Sequence, residues 1–251
     1  MRNISLVILF FLSYSCTSMS QERRDSVINT SDSISCQKDS IITSRLTLLF
    51  AGDLMQHQAQ INAARTSTGY NYSDCFKFVK EEINRADIAI ANLEVTLGGK
   101  PYRGYPAFSA PDEYLFAIRD AGFDVLITAN NHCLDKGKKG LERTLLMLDS
   151  LQIPHAGTYV NTESREQQYP LLLEKNGFRI ALLNYTYGTN GIKVTSPNVV
   201  NYIDKAVMKQ DIEAARAQHP DALIACMHWG DEYQSLPNKE QKNLTDWLLQ
   251  Q

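Results

Sequence analysis

Ile127-Thr-Ala-Asn-Asn-His132, with Asp135 and Gly137 close behind, is the stretch on which the fold turns. Val125, Leu126 and Ile127 form an apolar run of buried-strand type, and Asn130, Asn131 and His132 then enter the turn before a helix. In open α/β sheets, ligands bind outside the carboxyl ends of the strands. Two amides and an imidazole at such an end are expensive to bury, and well suited to a metal or a phosphate. The helix that follows covers about residues 138–151, with Leu141, Leu145 and Leu148 on one face.

Outward from this stretch the same arrangement recurs. An apolar strand at 46–51 runs into Gly52-Asp53, with His57 one helical turn further on. A second buried strand, 87–92, ends in Asn92-Leu93-Glu94, and a third, 221–227, ends in His228-Trp229-Gly230-Asp231-Glu232-Tyr233. Singly, each has an ordinary reading: Asp53 as a helix cap, Glu94 as a solvated loop acid. Together, Asp53, His57, Glu94, Asn131 and His228 make a donor set suited to Mn, Zn or Fe. Two such ions would clamp a phosphate or carboxyl-derived group. His132 need not ligate: an imidazole beside a metal centre can protonate a leaving oxygen, with Asp135 near enough to orient it. The expected substrate contacts are Asn130, Trp229, Glu232, Tyr233 and Arg103, the last from an aromatic and basic loop at 100–111.

Further helices are expected at 74–86, at 112–121 between Pro111 and Gly122, at 204–218, and from Asn238 onward. Asn176-Gly177 between the apolar runs 170–174 and 178–185 signals a hairpin, so the sheet is mixed. The net charge of −3 gives no pull toward nucleic acid. There is no G-x-S-x-G, no phosphate loop and no G-x-G-x-x-G, which sets aside serine-hydrolase and nucleotide-binding readings. Cys36, Cys75, Cys133 and Cys226 are widely spaced and suggest no disulfide framework.

The N-terminus reads as an address. Arg2, the apolar residues 4–12 and Ser13-Tyr-Ser-Cys16 make a signal segment over 1–15, too short to span a bilayer comfortably. Cys16 stands where a bacterial lipobox would place the acylated residue, which implies lipid anchoring at the cell envelope. With bulky Tyr14 in the motif, an ordinary signal-peptidase site is the alternative. Polar, aperiodic residues 16–45 then form a flexible tether ahead of one α/β domain at 46–251. Cys16→Ala should release the protein from membranes.

Gly52-Asp53-Leu-Met, Asn92-Leu-Glu94, Ala129-Asn-Asn-His132 with Asp135 and Gly137, Ala156-Gly157-Thr158, and His228-Trp-Gly-x-Glu232-Tyr233 together resemble the CapA family. These are poly-γ-glutamate capsule biosynthesis proteins whose domain is similar to calcineurin-like metallophosphoesterases. The resemblance implies a layered α/β sandwich with Asp53, Glu94, Asn131 and His228 on the metal positions. It puts His132 on the position that assists the leaving group, and His57 is a less regular match. It also implies an anionic polymer or phosphoester as substrate, and membrane capsule synthase subunits as partners. Such domains continue past the last helix into a strand ending in a Gly-x-His-Pro-His-like motif. Gln251 precedes any such motif, so the resemblance implies an incomplete C-terminal part. Two functions follow: an envelope-attached metal-dependent hydrolase of capsule polymer metabolism, or a non-catalytic assembly partner of the synthase with a vestigial site.

Overall fold

The computed structural model describes residues 44–251; the expected signal segment, Cys16 and nearly all of the tether lie outside the described residues. The first half of the chain runs β1 (Leu48–Leu54), α1 (Gln58–Ala64), α2 (Lys80–Ile83), β2 (Ile88–Leu93), α3 (Asp112–Ala121), β3 (Val125–Ile127), α4 (Gly137–Ser150) and β4 (His155–Ala156). The second half runs β5 (Thr158–Tyr159), α5 (Thr162–Gln168), β6 (Leu171–Lys175), β7 (Phe178–Thr186), β8 (Val199–Val200), α6 (Lys205–Arg216), β9 (Ala222–His228) and α7 (Lys239–Leu249).

The strands form two main sheets rather than one mixed sheet. One is wholly parallel in the order β1-β2-β3-β4; the other is mixed, in the order β6-β7-β9, with β6 antiparallel and β9 parallel to β7. The hairpin joining β6 to β7 turns on Asn176 (φ 53°) and Gly177 (φ 82°). Two successive positive φ values match the twist of the flanking strands, which is why Asn-Gly sits there. β5 and β8 make a separate antiparallel pair.

Strand alternation assembles the layers. In β2, Ala89, Ala91 and Leu93 point outward against Tyr114, Leu115 and Ile118 of α3. Ile88 and Ile90 point inward, against Leu173, Ile180 and Leu182 of the second sheet. In β7 the outward set, Ala181, Leu183 and Tyr185, meets Met208 and Ile212 of α6 and Leu244 of α7. The result is helix, sheet, sheet, helix. β2 is buried along its whole length, and each Ile or Leu so enclosed contributes roughly 1.5–3 kcal/mol. Among the described residues no helix is long and apolar enough to cross a membrane.

One expected helix is shorter than anticipated, and one helix was not anticipated. The helix expected at 74–86 is only Lys80–Ile83, preceded by turns, and Phe78 and Val79 are exposed. Its apolar spacing reflects Phe76 and Ile83 reaching the core rather than one continuous helical face. Conversely, α5 carries no apolar stripe and buries none of its residues; Asn161 caps it by accepting the Ser164 N–H at 2.7 Å.

Candidate metal centre

The inward faces of the sheets change from apolar to polar at the carboxyl ends of the strands. After Ile88 and Ile90, the next inward residue of β2 is Asn92; after Ile224 and Cys226, the next of β9 is His228. β1 needs an irregularity to follow suit. Phe50 pairs with Ile90 but Asp53 pairs with Asn92, so Ala51 and Gly52 oppose Ala91 alone. This bulge turns Asp53 to the same face as Phe50. A small cavity between the sheets is lined by Phe50, Ile90 and Ile127 together with Asp53, Asn92 and His228.

Asp53, Glu94 and His228 each present one ligand atom, all within 4.8 Å of one another. His228 Nδ1 lies 4.0 Å from Asp53 Oδ1, and its Nε2 lies 3.8 Å from Glu94 Oε1. Asn131 joins them, its Oδ1 2.8 Å from His228 Nε2. Burial, then the neighbouring Asp53 carboxylate, pushes Glu94 up to about 10. Burial likewise holds His228 below its ordinary value, with Asp53 opposing. His228 is therefore neutral at pH 7, and its approaches to the two acids are ligand spacings rather than ion pairs. Two carboxylates confined beside a neutral imidazole and an amide oxygen are costly by themselves. A divalent cation removes that cost, so the donor set fits one.

Asn92 ties this group to the turn before α4 that carries Asn130, Asn131 and His132. Its amide donates to Asp53 Oδ1 at 2.8 Å and to Glu94 Oε2 at 3.2 Å. Its own oxygen accepts from Asn130 Nδ2 at 3.0 Å. Asn130 donates also to the Leu93 carbonyl and accepts from the His132 N–H. His132 Nδ1 meets Asp135 Oδ2 at 2.8 Å, and the same carboxylate oxygen accepts the Phe108 N–H at 2.7 Å. Phe108 closes against the His132 ring edge to face, with centroids 4.7 Å apart.

Several expected site residues are placed elsewhere. His57 is exposed at the start of α1 with its ring against Phe108, outside the cluster of potential ligands among the described residues. The strand continues through Leu54, so the helix begins too late to bring it back. Trp229 packs with the α6 and α7 cluster on the outer side of its sheet; adjacent strand residues face opposite ways, so His228 pointing in sends Trp229 out. Asn130 is fully buried, and its amide serves the scaffold just described rather than a substrate. Arg103 is exposed, and its backbone pairs in both directions with Ser109. Its loop reaches the site through Phe108 instead. Glu232 and Tyr233 are exposed beyond the end of β9. Residues not singled out from sequence complete the surroundings: Asn92, Phe108, and Tyr187 and Asn190 from the loop after β7. The inward position of Asn92 was readable from strand alternation; the others carried no signal beyond lying in polar or aromatic loops.

With this geometry in place, comparison with known proteins decides the lineage. The sequence profile of the bacterial capsule synthesis protein PGA_cap matches residues 47–251. The chain belongs to this family. It is 26% identical over 218 residues to the capsule biosynthesis protein CapA of Bacillus anthracis, covering 82% of this chain and 51% of the relative. It is 26% identical over 209 residues to the PGA biosynthesis protein CapA of Bacillus subtilis, covering 79% and 53%. An uncharacterized protein of Sinorhizobium fredii, y4uA, is 28% identical over 152 residues, 57% of this chain and 31% of its own length. The chain thus spans about half the length of the two CapA relatives. The α/β sandwich, with its parallel sheet and flanking helices, is consistent with a metallophosphoesterase-like member of this family.

Proposed function

We propose that this chain is an envelope-anchored protein of capsule or related anionic-polymer metabolism that performs metal-assisted hydrolysis or transfer at a phosphoester or amide linkage. The supporting observation is the convergence of half-buried Asp53 and His228 with buried Glu94, and the Asn131 oxygen 2.8 Å from the imidazole. Relatives named for capsule and PGA biosynthesis support the polymer context. Asp53, Glu94, Asn131 and His228 would hold Mn, Zn or Fe. A cation bound there supplies Lewis acidity and an activated water. The rest is done by the chain. Asp135 holds His132 through Nδ1 and fixes the ring, leaving Nε2 to exchange a proton with the leaving oxygen. Phe108, locked to Asp135 through its N–H, shields that imidazole on one side. Membrane attachment would come through a lipid on Cys16, and membrane capsule synthase subunits would be the partners.

The test is metal content followed by turnover. The purified chain should bind Mn²⁺ or Zn²⁺ stoichiometrically and hydrolyse bis(4-nitrophenyl) phosphate, with both properties lost in Asp53→Ala and His228→Ala. A folded protein that takes up no metal would overturn the hydrolase reading and favour a non-catalytic assembly role.

A further inference from the structure

The loop after β7 carries two side chains that neither metal binding nor proton transfer employs. Tyr187 follows the last residue of β7, and its backbone N–H donates to the His228 carbonyl at 3.0 Å. Its ring lies 15° from parallel with the His228 imidazole, at 6.0 Å between centroids, yet the residue remains 53% exposed. Asn190 is also exposed, and yet its amide reaches inward. Its Oδ1 accepts from Asn131 Nδ2 at 3.2 Å, and its Nδ2 lies 3.4 Å from His132 Nδ1. Asn190 holds φ at 51°, a left-handed conformation that asparagine tolerates better than most residues.

The loop is also held by bonds that involve neither side chain. Thr186 Oγ1 bonds both the carbonyl and the N–H of Gly188, at 2.9 and 3.3 Å. Thr189 Oγ1 donates to the Ile192 carbonyl at 2.7 Å and meets the Tyr202 hydroxyl at 3.0 Å. A hydrogen-bonded loop thus presents a half-exposed aromatic face and an amide on the solvent side of Asn131, His132 and His228. A ring left this open gains little from burial, whereas its free face can take a flat partner.

We infer that Tyr187 and Asn190 form the substrate-contacting wall of this site. Asn190 is the hydrogen-bonding contact, and Tyr187 the aromatic face that favours substrates whose group next to the reacting centre is planar. This rests on the metal-dependent reading above. The amide of Asn190 touches both a prospective ligand, Asn131, and the proton carrier, His132, so a phosphoryl or acyl group held between them lies within its reach. Tyr187 then meets whatever is attached to that group.

The test uses the full chain loaded with Mn²⁺, and phenylphosphonate and methylphosphonate as probes in calorimetry. Wild type should bind the phenyl compound more tightly. Tyr187→Ala should reduce that preference about 5-fold, with methylphosphonate binding and Mn²⁺ stoichiometry unchanged, and Tyr187→Phe should retain it. Asn190→Ala should weaken both probes equally. A Tyr187→Ala protein that keeps the phenyl preference, or that loses affinity for both probes alike, overturns the inference about Tyr187. Unchanged binding in Asn190→Ala overturns the part assigned to Asn190. Metal content is measured before any probe is added, so a wild type without Mn²⁺ identifies failure of the underlying reading and removes this inference with it.

Discussion

Replacing Glu94 with Gln should stabilise the metal-free protein while destroying its affinity for metal. The magnitude follows from the carboxyl's surroundings. Burial and the Asp53 carboxylate raise it from an ordinary 4.5 to about 10, so the folded, metal-free protein keeps it protonated at pH 7. The unfolded chain ionises it there, across two and a half pH units at about 1.4 kcal/mol each. Metal-free wild type therefore gives up about 3 kcal/mol at pH 7 relative to a side chain that never ionises. The sign is that of a raised folded pKa: the contribution is fully present below pH 4.5 and is lost as pH rises toward about 10. Gln keeps the shape and the polar end but has nothing to ionise. Urea unfolding in EDTA should show Glu94→Gln more stable than wild type by up to about 3 kcal/mol at pH 7 and equal to it at pH 4.5. Added Mn²⁺ should raise the wild-type midpoint and leave the variant's where it was. A variant less stable than metal-free wild type at pH 7 would refute the argument, because it would show Glu94 held ionised by the fold.

His132→Ala should retain metal but slow phosphodiester hydrolysis about 10²–10⁴-fold, the usual worth of a positioned acid–base group; metal analysis beside kcat checks both halves. Gly157→Ala should cost roughly 2–4 kcal/mol in urea unfolding. Its φ is 122°, and a Cβ there would lie 2.1 Å from Asn184 Oδ1 and 2.4 Å from the Ala129 nitrogen. Burial pushes the thiols of Cys133 and Cys226 up to about 12, so neither should react with a thiol reagent at pH 8 until the protein unfolds. Exposed Cys75 should be labelled in the native state, as mass spectrometry of the modified peptides would show.

What could be read from sequence was what local chemistry determines. The Asn176-Gly177 hairpin, the Pro111 and Gly122 boundaries of α3, and the polar ends of β1, β2 and β9 all depend on a few neighbouring residues. The division into two sheets was not legible, because β2 and β7 are apolar on both faces and the sequence does not say which face meets a helix and which a sheet. His57 lies apart from the cluster because of a bulge and strand extension that no residue type announces. Trp229 lies on the outer side of its sheet because successive side chains along a strand point to opposite faces. Asn130 looked like a substrate contact because amides are costly to bury, yet that same cost is met by Asn92, Leu93 and His132. Tyr187 and Asn190 approach the site only because β7 runs beside β9 and ends level with His228.

Asp53 lies in the parallel sheet, Glu94 directly follows β2 of that sheet, and His228 ends a strand of the mixed one, so the prospective ligands straddle two sheets. Among the described residues, side-chain packing and a few hydrogen bonds, such as that from the Ala129 N–H to Asn184 Oδ1 at 2.7 Å, resist shearing of one slab over the other at this end. A captured ion would act as a rivet through both, coupling occupancy to mechanical stiffness: the loaded protein should resist sliding of the slabs under force, and chelation should make that end the first to part.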